Sequence, residues 1–83
     1  MYFTYIIESE SIGKWYYGST SNLDRRLAEH NDGSNISTRN RRPWKYVFVR
    51  VFEIQKEARD FELYLKKSRN KEYIKRQFSQ FFV

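Results

Sequence analysis

The fold is decided by one stretch of the chain, Lys14-Trp-Tyr-Tyr-Gly-Ser-Thr-Ser-Asn-Leu-Asp-Arg-Arg-Leu-Ala-Glu-His30. Its aromatic alternation through Tyr17 predicts a β-strand, and Gly18 predicts a backbone turn that can come close to a bound group. Ser21 predicts the start of a helix, because its hydroxyl can accept a backbone N–H bond and Asp24 completes a capping-box pattern. The stretch therefore predicts a strand, a turn and a capped helix.

The predicted helix carries its polar residues on two different faces. At about 100° per residue, one face holds Leu23, Leu27 and His30. Arg26 lies at the edge of this face, whereas Arg25 points away from it as ordinary surface charge. We expect Arg26 and His30 to flank whatever lies over Tyr16 on the sheet. Polar groups that converge on one spot are costly in a structural core, so this pattern indicates a functional site.

The segment before this stretch predicts a hairpin. Tyr2 to Glu8 is rich in β-branched and aromatic residues, and Ser9 to Gly13 is turn-like, so the first strand should pair antiparallel with Lys14 to Ser19. Tyr5 and Tyr16 share a face only if paired residue numbers sum to an odd value. A sum of 21 would set them side by side, but a loop of this length can close in more than one register.

A polar loop is expected after the helix, which Gly33 should end. Ser34 to Arg42 contains three arginines, Arg39, Arg41 and Arg42. We interpret it as a phosphate-contacting loop. A solvated connection is the alternative on composition alone.

Trp44 to Glu53 predicts the third strand. Strict alternation would put Tyr46, Phe48, Arg50 and Phe52 on one face, and Val47, Val49 and Val51 on the other. Because both faces would then be mostly covered, the pattern favours a central strand.

Two further helices are expected. The first runs from Gln55 to about Ser68 and buries a stripe of Ala58, Phe61 and Leu65. Glu62 falls within this stripe, where a carboxylate has to be paired or bound to a cation. The alternative is a surface pair of Glu62 with Lys66.

The last segment, Asn70 to Val83, is basic and aromatic. It predicts a final helix that packs Tyr73 or Ile74 and the phenylalanines onto the sheet. If those phenylalanines stay exposed, they would instead form a dimer contact or a stacking surface for nucleic acid.

Composition limits the classes of protein to which the chain can belong. Its 83 residues predict a single domain spanning 1–83, and 40% hydrophobic with 31% charged residues is typical of a folded chain. A net charge of +6 favours a polyanionic partner. The chain has no cysteine, no apolar run long enough for a membrane span and no secretion signal. We therefore expect no membrane association and a cytoplasmic protein.

The chain resembles a GIY-YIG nuclease domain of the small stand-alone bacterial type, related to the N-terminal domain of excision-repair nucleases. The resemblance covers essentially the whole chain and rests on the ordered set Tyr5, Tyr16-Tyr17-Gly18, Asn22-Leu23, Arg26, His30, Trp44-Lys45, Glu62 and Leu65-Lys66-Lys67. Phe3-Thr4 and Tyr17 depart from the name motif. Ser19 stands where the excision-repair subunits have lysine.

This resemblance implies the α+β class, a three-stranded antiparallel sheet flanked by helices, with the site on the sheet surface. It implies five catalytic residues, Tyr5, Tyr16, Arg26, His30 and Glu62, with Glu62 as the single ligand of Mg²⁺ or Mn²⁺. Contacts to DNA are expected from Gly18, Ser19, Arg39, Arg41, Arg42 and Lys66. The resemblance also implies a role such as DNA repair. From the small size of the chain we expect a monomer or a weak homodimer, since one active site alone would only nick.

Two readings of the site remain open. In the first, the chain is an endonuclease in which Arg26 holds the scissile phosphate and Tyr16 takes a proton from water, with Tyr5 sharing or supporting that role. A free phenol has a pKa of about 10 and is a poor base at neutrality, so a metal-bound hydroxide is an alternative base. In the second reading, the domain binds nucleic acid without cutting it. An interaction domain that binds no nucleic acid is a third possibility.

Overall fold

The structure is a computed structural model that describes all 83 residues. Its elements are β1 (Tyr2–Ser9), β2 (Trp15–Thr20), α1 (Leu23–Asp32), β3 (Trp44–Phe52), α2 (Gln55–Ser68) and α3 (Lys71–Gln77). Short 3-10 turns span Arg39–Arg41 and Ser79–Phe81. This is the predicted α+β class, a three-stranded antiparallel sheet with three helices. None of the helices has the length and apolar character that a membrane span requires.

β1 is the central strand, because the sheet order is β2-β1-β3. The prediction that β3 is central is therefore wrong. Apolar residues on both faces of a strand indicate that both faces of the sheet are covered by helices, which is true of β3. A strand is central when both of its edges are hydrogen-bonded to other strands, and the apolar pattern does not indicate this.

A β-bulge divides β3 between the two faces of the sheet. Ile6 pairs with Phe48, but Ile7 pairs with Tyr46, so Val47 is the extra residue. Tyr46 therefore lies on the face opposite Phe48, Arg50 and Phe52, and the predicted strict alternation is wrong at this point. The bulge lets one strand supply an aromatic ring to each layer.

The sheet carries a hydrophobic cluster on each face. On the α1 side, Tyr5, Ile7 and Trp44 are buried and contact Tyr16, Leu23, Leu27 and Tyr46. On the other side, Ile6 and Phe48 pack with Leu65 of α2 and Ile74 of α3. Helices thus cover both faces of a sheet that is only three strands wide.

The hairpin of β1 and β2 forms as predicted, in a register whose paired numbers sum to 23. Tyr5 is opposite Gly18, and Tyr16 is opposite Ile7. The odd sum puts Tyr5 and Tyr16 on the same face, but diagonally and not side by side as the sum of 21 would require. Gly18 lies inside the strand, so the predicted glycine turn at this position is wrong and β2 continues to Thr20.

α1 begins one residue later than the capping-box pattern predicts. Asn22 is the N-cap, and its side chain accepts a hydrogen bond from the backbone N–H of Arg25 at 3.0 Å. The Thr20 hydroxyl accepts the backbone N–H of Asn22, which fixes the cap ahead of the helix. Ser21 therefore does not cap, whereas Gly33 ends the helix in the left-handed conformation as predicted, with φ of 88°.

α2 has the predicted bounds, with Ala58 and Leu65 fully buried. The Thr4 hydroxyl donates to the carbonyl of Ala58 at 2.6 Å and ties α2 to the central strand. α3 is shorter than predicted and buries Ile74, leaving Tyr73 exposed. The phenylalanines after it, Phe78, Phe81 and Phe82, pack against the α2 side of the core.

The outer edge of β3 is covered at two points. The Asn31 side chain donates to the carbonyl of Trp44 at 3.0 Å and accepts its backbone N–H at 2.6 Å. Further along, Phe82 forms a bridge with Phe48, and the N–H of Val83 donates to the carbonyl of Val47. A side chain and the last residues therefore occupy the positions that a fourth strand would take.

Candidate active site

Tyr5 is the centre of a buried polar cluster on the α1 face. Its ring is fully buried, and its Oη accepts a hydrogen bond from Arg26 Nε at 3.1 Å. The same oxygen lies 2.9 Å from His30 Nε2, and His30 Nδ1 lies 2.8 Å from the Thr38 hydroxyl. The sequence predicts that Arg26 and His30 flank whatever lies over Tyr16; the structure has both hydrogen-bonded to Tyr5, with His30 also packed against Tyr16. α1 supplies both partners because they lie one turn apart.

The hydrogen-bond chemistry of this cluster defines the tautomer of His30. A guanidinium can only donate, so the Tyr5 proton has only His30 Nε2 as an acceptor. With Nε2 accepting, the ring proton of a neutral His30 must be on Nδ1, where it donates to Thr38. The cluster is therefore an ordered chain from Thr38 to Arg26, with every polar group satisfied.

Burial shifts the pKa values of Tyr5 and His30, two titratable groups of this hydrogen-bonded series. Desolvation raises the pKa of Tyr5 to about 12, although the Arg26 cation opposes this shift. Desolvation, assisted by Arg26, lowers the pKa of His30 to about 4. At neutral pH Tyr5 is thus a phenol and His30 a neutral imidazole.

His30 is the only histidine of the chain, which makes its titration measurable. Its lowered pKa means that the unfolded state binds a proton more readily, so stability should fall as pH falls. With pKa values of 6.5 unfolded and about 4 folded, we expect the free energy of unfolding to drop by about 2 kcal/mol between roughly pH 7 and 5. Urea titrations at both pH values test this. His30→Gln should lose most of this dependence, and an unchanged slope in that variant would contradict the assignment.

Gly18 provides the space for the Tyr5 phenol. A Cβ at this position would lie only 2.4 Å from Tyr5 Oη. Gly18 is buried in β2, directly opposite Tyr5. Its role in the structure is therefore to allow the buried phenol to reach Arg26 and His30.

Gly18→Ala is expected to displace the Tyr5 ring and to destabilise the fold by about 1–3 kcal/mol, as overpacking of a tight core does. Arg26 would lose its support in the same variant. Gly13→Ala is the matched control, because nothing lies within 4 Å of that position although its φ is +73°. It should cost about 1 kcal/mol through backbone strain alone. Equal losses in the two variants, measured by thermal denaturation, would refute the close approach.

Tyr16 is the more exposed of the two tyrosines. Its ring packs edge-on against His30, with centroids 5.2 Å apart, and against Trp44 at 6.4 Å. It also lines an open cleft, and its hydroxyl makes no hydrogen bond within the protein. Both Tyr16 and Arg26 contact neighbours in the same polar cluster, Tyr16 through His30 and Arg26 through Tyr5. The free hydroxyl distinguishes Tyr16 chemically from Tyr5.

Arg26 is held on one side and open on the other. Nε donates to Tyr5 and Nη1 to Glu29 Oε1 at 3.2 Å, which leaves Nη2 and one N–H of Nη1 without a partner. The side chain is 32% exposed. Arg25 lies outside this arrangement, more exposed and paired loosely with Glu29, as the sequence predicts. Arg26 can therefore offer a pair of N–H groups to an anion.

Glu62 comes from the other helical layer. Its side chain is only 17% exposed, and Oε2 pairs with Lys66 Nζ at 2.7 Å. The predicted alternatives therefore occur together, since the carboxylate is both largely buried and paired. Burial is the main cause of the raised pKa of Tyr5, and the Glu62 charge adds to it. Lys66 lines the same cleft as Tyr16.

The other predicted nucleic-acid contacts fall in different places. Ser19 pairs with Thr4 and faces α2, away from Tyr16. In the loop, Arg41 Nη2 donates to the carbonyl of Ser37 and Arg42 Nε to that of Arg39. Arg39 has no side-chain partner. The loop arginines thus stabilise the loop in part, and Arg39 remains the most available of them for phosphate.

Thr38 is the member of the cluster that sequence reasoning missed. It is fully buried, and its backbone carbonyl accepts the indole N–H of Trp44 at 2.8 Å. No spacing marks it, because it lies in an irregular polar loop. Its contact with His30 depends on how the loop folds back over the end of α1. Thr38 therefore connects this loop to the series of hydrogen bonds, through His30 and Tyr5, that ends at Arg26.

Comparison with known proteins adds independent support to the geometry. Residues 1–77 match the family model described as the GIY-YIG catalytic domain. The chain is similar to the UPF0213 protein YazA of Bacillus subtilis, with 36% identity over 80% of this chain and 67% of the relative. It is also similar to the UPF0213 protein CPE1444 of Clostridium perfringens, with 40% identity over 81% of this chain and 72% of the relative.

The fold is similar to a solved structure as well. The solution NMR structure of the UPF0213 protein BH0048 from Bacillus halodurans matches with a TM-score of 0.57 and 33% identity. The match covers 94% of this chain and 86% of that one. Sequence and fold agree with the resemblance noted from the motifs. The chain therefore belongs to the GIY-YIG family, a family of nucleases.

Proposed function

We propose that this protein is a metal-dependent endonuclease that hydrolyses phosphodiester bonds in DNA. The observation that carries the proposal is that Tyr5 holds the Arg26 guanidinium while Tyr16, with its free hydroxyl, packs against His30 on the same face of the sheet. A cation with open N–H groups can bind a phosphate oxygen and stabilise the negative charge that grows during hydrolysis. The family membership supports the same conclusion.

The donor set fits a hard divalent cation that keeps most of its water. No three side chains among His, Cys, Asp and Glu converge anywhere in the 83 residues. Glu29 also borders the polar cluster but is paired with Arg26, whereas Glu62 is largely buried and its Oε1 is not engaged by Lys66. A single carboxylate with water ligands suits Mg²⁺ or Mn²⁺. When bound, such an ion supplies an acidic water and charge stabilisation.

The protein's own residues would divide the remaining work. Arg26 binds the scissile phosphate with the N–H groups that face away from Tyr5. Tyr16, as its phenolate, accepts a proton from the attacking water. Tyr5 and His30 act as positioning residues, because their shifted pKa values keep both neutral. Lys66 holds the Glu62 carboxylate in place.

A second candidate function is nucleic-acid binding without cleavage. It is favoured by the Glu62–Lys66 pair, which competes with a metal ion for the carboxylate. In this case the positive charge of +6 would bind DNA, and no strand would be cut.

Plasmid nicking with and without divalent cations tests the proposal. We expect supercoiled DNA to become nicked with Mg²⁺ or Mn²⁺, and EDTA to stop the reaction. Gel-shift binding that persists while no divalent ion supports nicking would establish the binding domain instead. Neither binding nor cleavage would reject both candidates.

The proposal treats residues 1–83 as one nuclease domain that acts on cytoplasmic DNA, with repair intermediates among its substrates. One site per chain cuts one strand, so a monomer would nick and a weak homodimer could cut both. Sedimentation with and without DNA would distinguish these states.

A further inference from the structure

The largest cleft of the molecule begins at Tyr16 and continues away from Arg26. Its volume is about 510 Å³, and it is lined by Lys14, Trp15, Tyr16, Tyr17, Lys66, Arg69 and Lys71. The lining residues come from the hairpin, the end of α2 and the start of α3. The cleft is therefore a surface that exists only in the folded chain.

Four of these lining residues are cations and none is acidic. The next largest cleft differs, since it contains one arginine together with Glu57 and Asp60. Arg69 is oriented by its own Nε, which donates to the carbonyl of Lys66 at 3.1 Å. Lys71 is fixed by donating to the carbonyl of Gly13 at 2.9 Å. Such a concentration of like charge on separate segments favours a polyanion.

Trp15, one of the three aromatic residues that line the cleft, is already engaged. Lys71 Nζ lies 4.9 Å from the centroid of the Trp15 ring. The Trp15 indole N–H donates to Glu8 Oε1 at 2.8 Å, and its ring contacts Phe82. A ring covered in this way has no free face on which a base could stack. The chemistry available to a ligand is therefore that of the cations.

We propose that this cleft binds the sugar–phosphate backbone of the DNA on one side of the scissile bond. The inference rests on the proposed function, because Tyr16 belongs to both the site and the cleft. A strand whose scissile phosphate lies on Arg26 passes Tyr16 and presents its next phosphates to Lys66, Arg69 and Lys14. The cleft recognises phosphate charge and not base identity, so binding there is independent of sequence.

The double variant Lys14→Gln/Arg69→Gln tests the proposal and spares Lys66 and Lys71, which hold other groups. Fluorescence anisotropy in EDTA, with a short labelled DNA duplex and its unpaired strand, measures binding without cleavage. We expect about tenfold weaker binding of both probes at roughly 0.15 M salt, and a salt slope smaller by about 2. Under nicking conditions, KM should rise while kcat stays unchanged.

The matched control is Lys56→Gln/Arg59→Gln, which removes the same charge from exposed positions of α2 outside the cleft. Arg69→Lys keeps the cation and should restore affinity. If the double variant does not fold, Lys14→Gln alone carries the test. Equal losses in the cleft and control variants would overturn the proposal, as would a loss confined to the unpaired strand. Binding is measured in EDTA and does not require cleavage. The binding result therefore tests the cleft even if the protein does not nick DNA.

Discussion

Glu62→Gln is expected to reduce plasmid nicking by about 10³-fold or more while DNA binding persists. The amide keeps the size of the side chain but removes the negative charge that we propose holds a divalent cation. Loss of several kcal/mol of charge stabilisation corresponds to a rate loss of this order. The side chain is 17% exposed and pairs with Lys66, so its replacement also releases that lysine. Nicking rates and gel shifts, measured in parallel, separate catalysis from binding.

Glu57→Gln is the matched control for this prediction. Glu57 lies in the first turn of α2 and is exposed, so its amide should leave nicking within about twofold of the parent. Nicking that survives Glu62→Gln at the parental rate would eliminate the carboxylate from the mechanism.

Tyr16→Phe and Tyr5→Phe should separate the two tyrosines by opposite patterns of activity and stability. Tyr16 has a free hydroxyl, so its loss should cost about 10²–10⁴-fold in kcat, as removal of a general base does. The free energy of unfolding should change by less than about 0.5 kcal/mol. Tyr5→Phe leaves Arg26 Nε and His30 Nε2 unpaired, so it should destabilise the fold by about 1–3 kcal/mol.

Urea unfolding together with single-turnover nicking measures both quantities. Full activity in Tyr16→Phe would show that Tyr16 is not the base and would favour a metal-bound hydroxide in that role. A Tyr5→Phe variant that is as stable as the parent would show that the buried hydroxyl does not organise the site.

The elements that depend on local pattern could be predicted from the sequence. The bounds of α2, the antiparallel hairpin and the glycine end of α1 follow from periodicity and from turn residues. The face that carries Arg26 and His30 follows from helical geometry alone. These features are encoded within a few residues of one another.

The features that depend on tertiary contacts could not be predicted. The residue pattern of β3 alternates regularly and gives no sign of the bulge at Val47. The order of the strands depends on which strand edges pair, and this is set by tertiary contacts. Thr38 reaches His30 only because the loop folds over α1. Ser21 and Asn22 are both good caps, and the Thr20 hydroxyl selects between them.

The protected border of β3 restricts how this molecule can self-associate. An amide side chain and the C-terminal residues already satisfy main-chain groups at Trp44 and Val47, so an added strand would find that part of the border occupied. β2 is the other border of the sheet, and it carries Tyr16. Growth of the sheet through β2 from one subunit into another would therefore cover the proposed reaction centre.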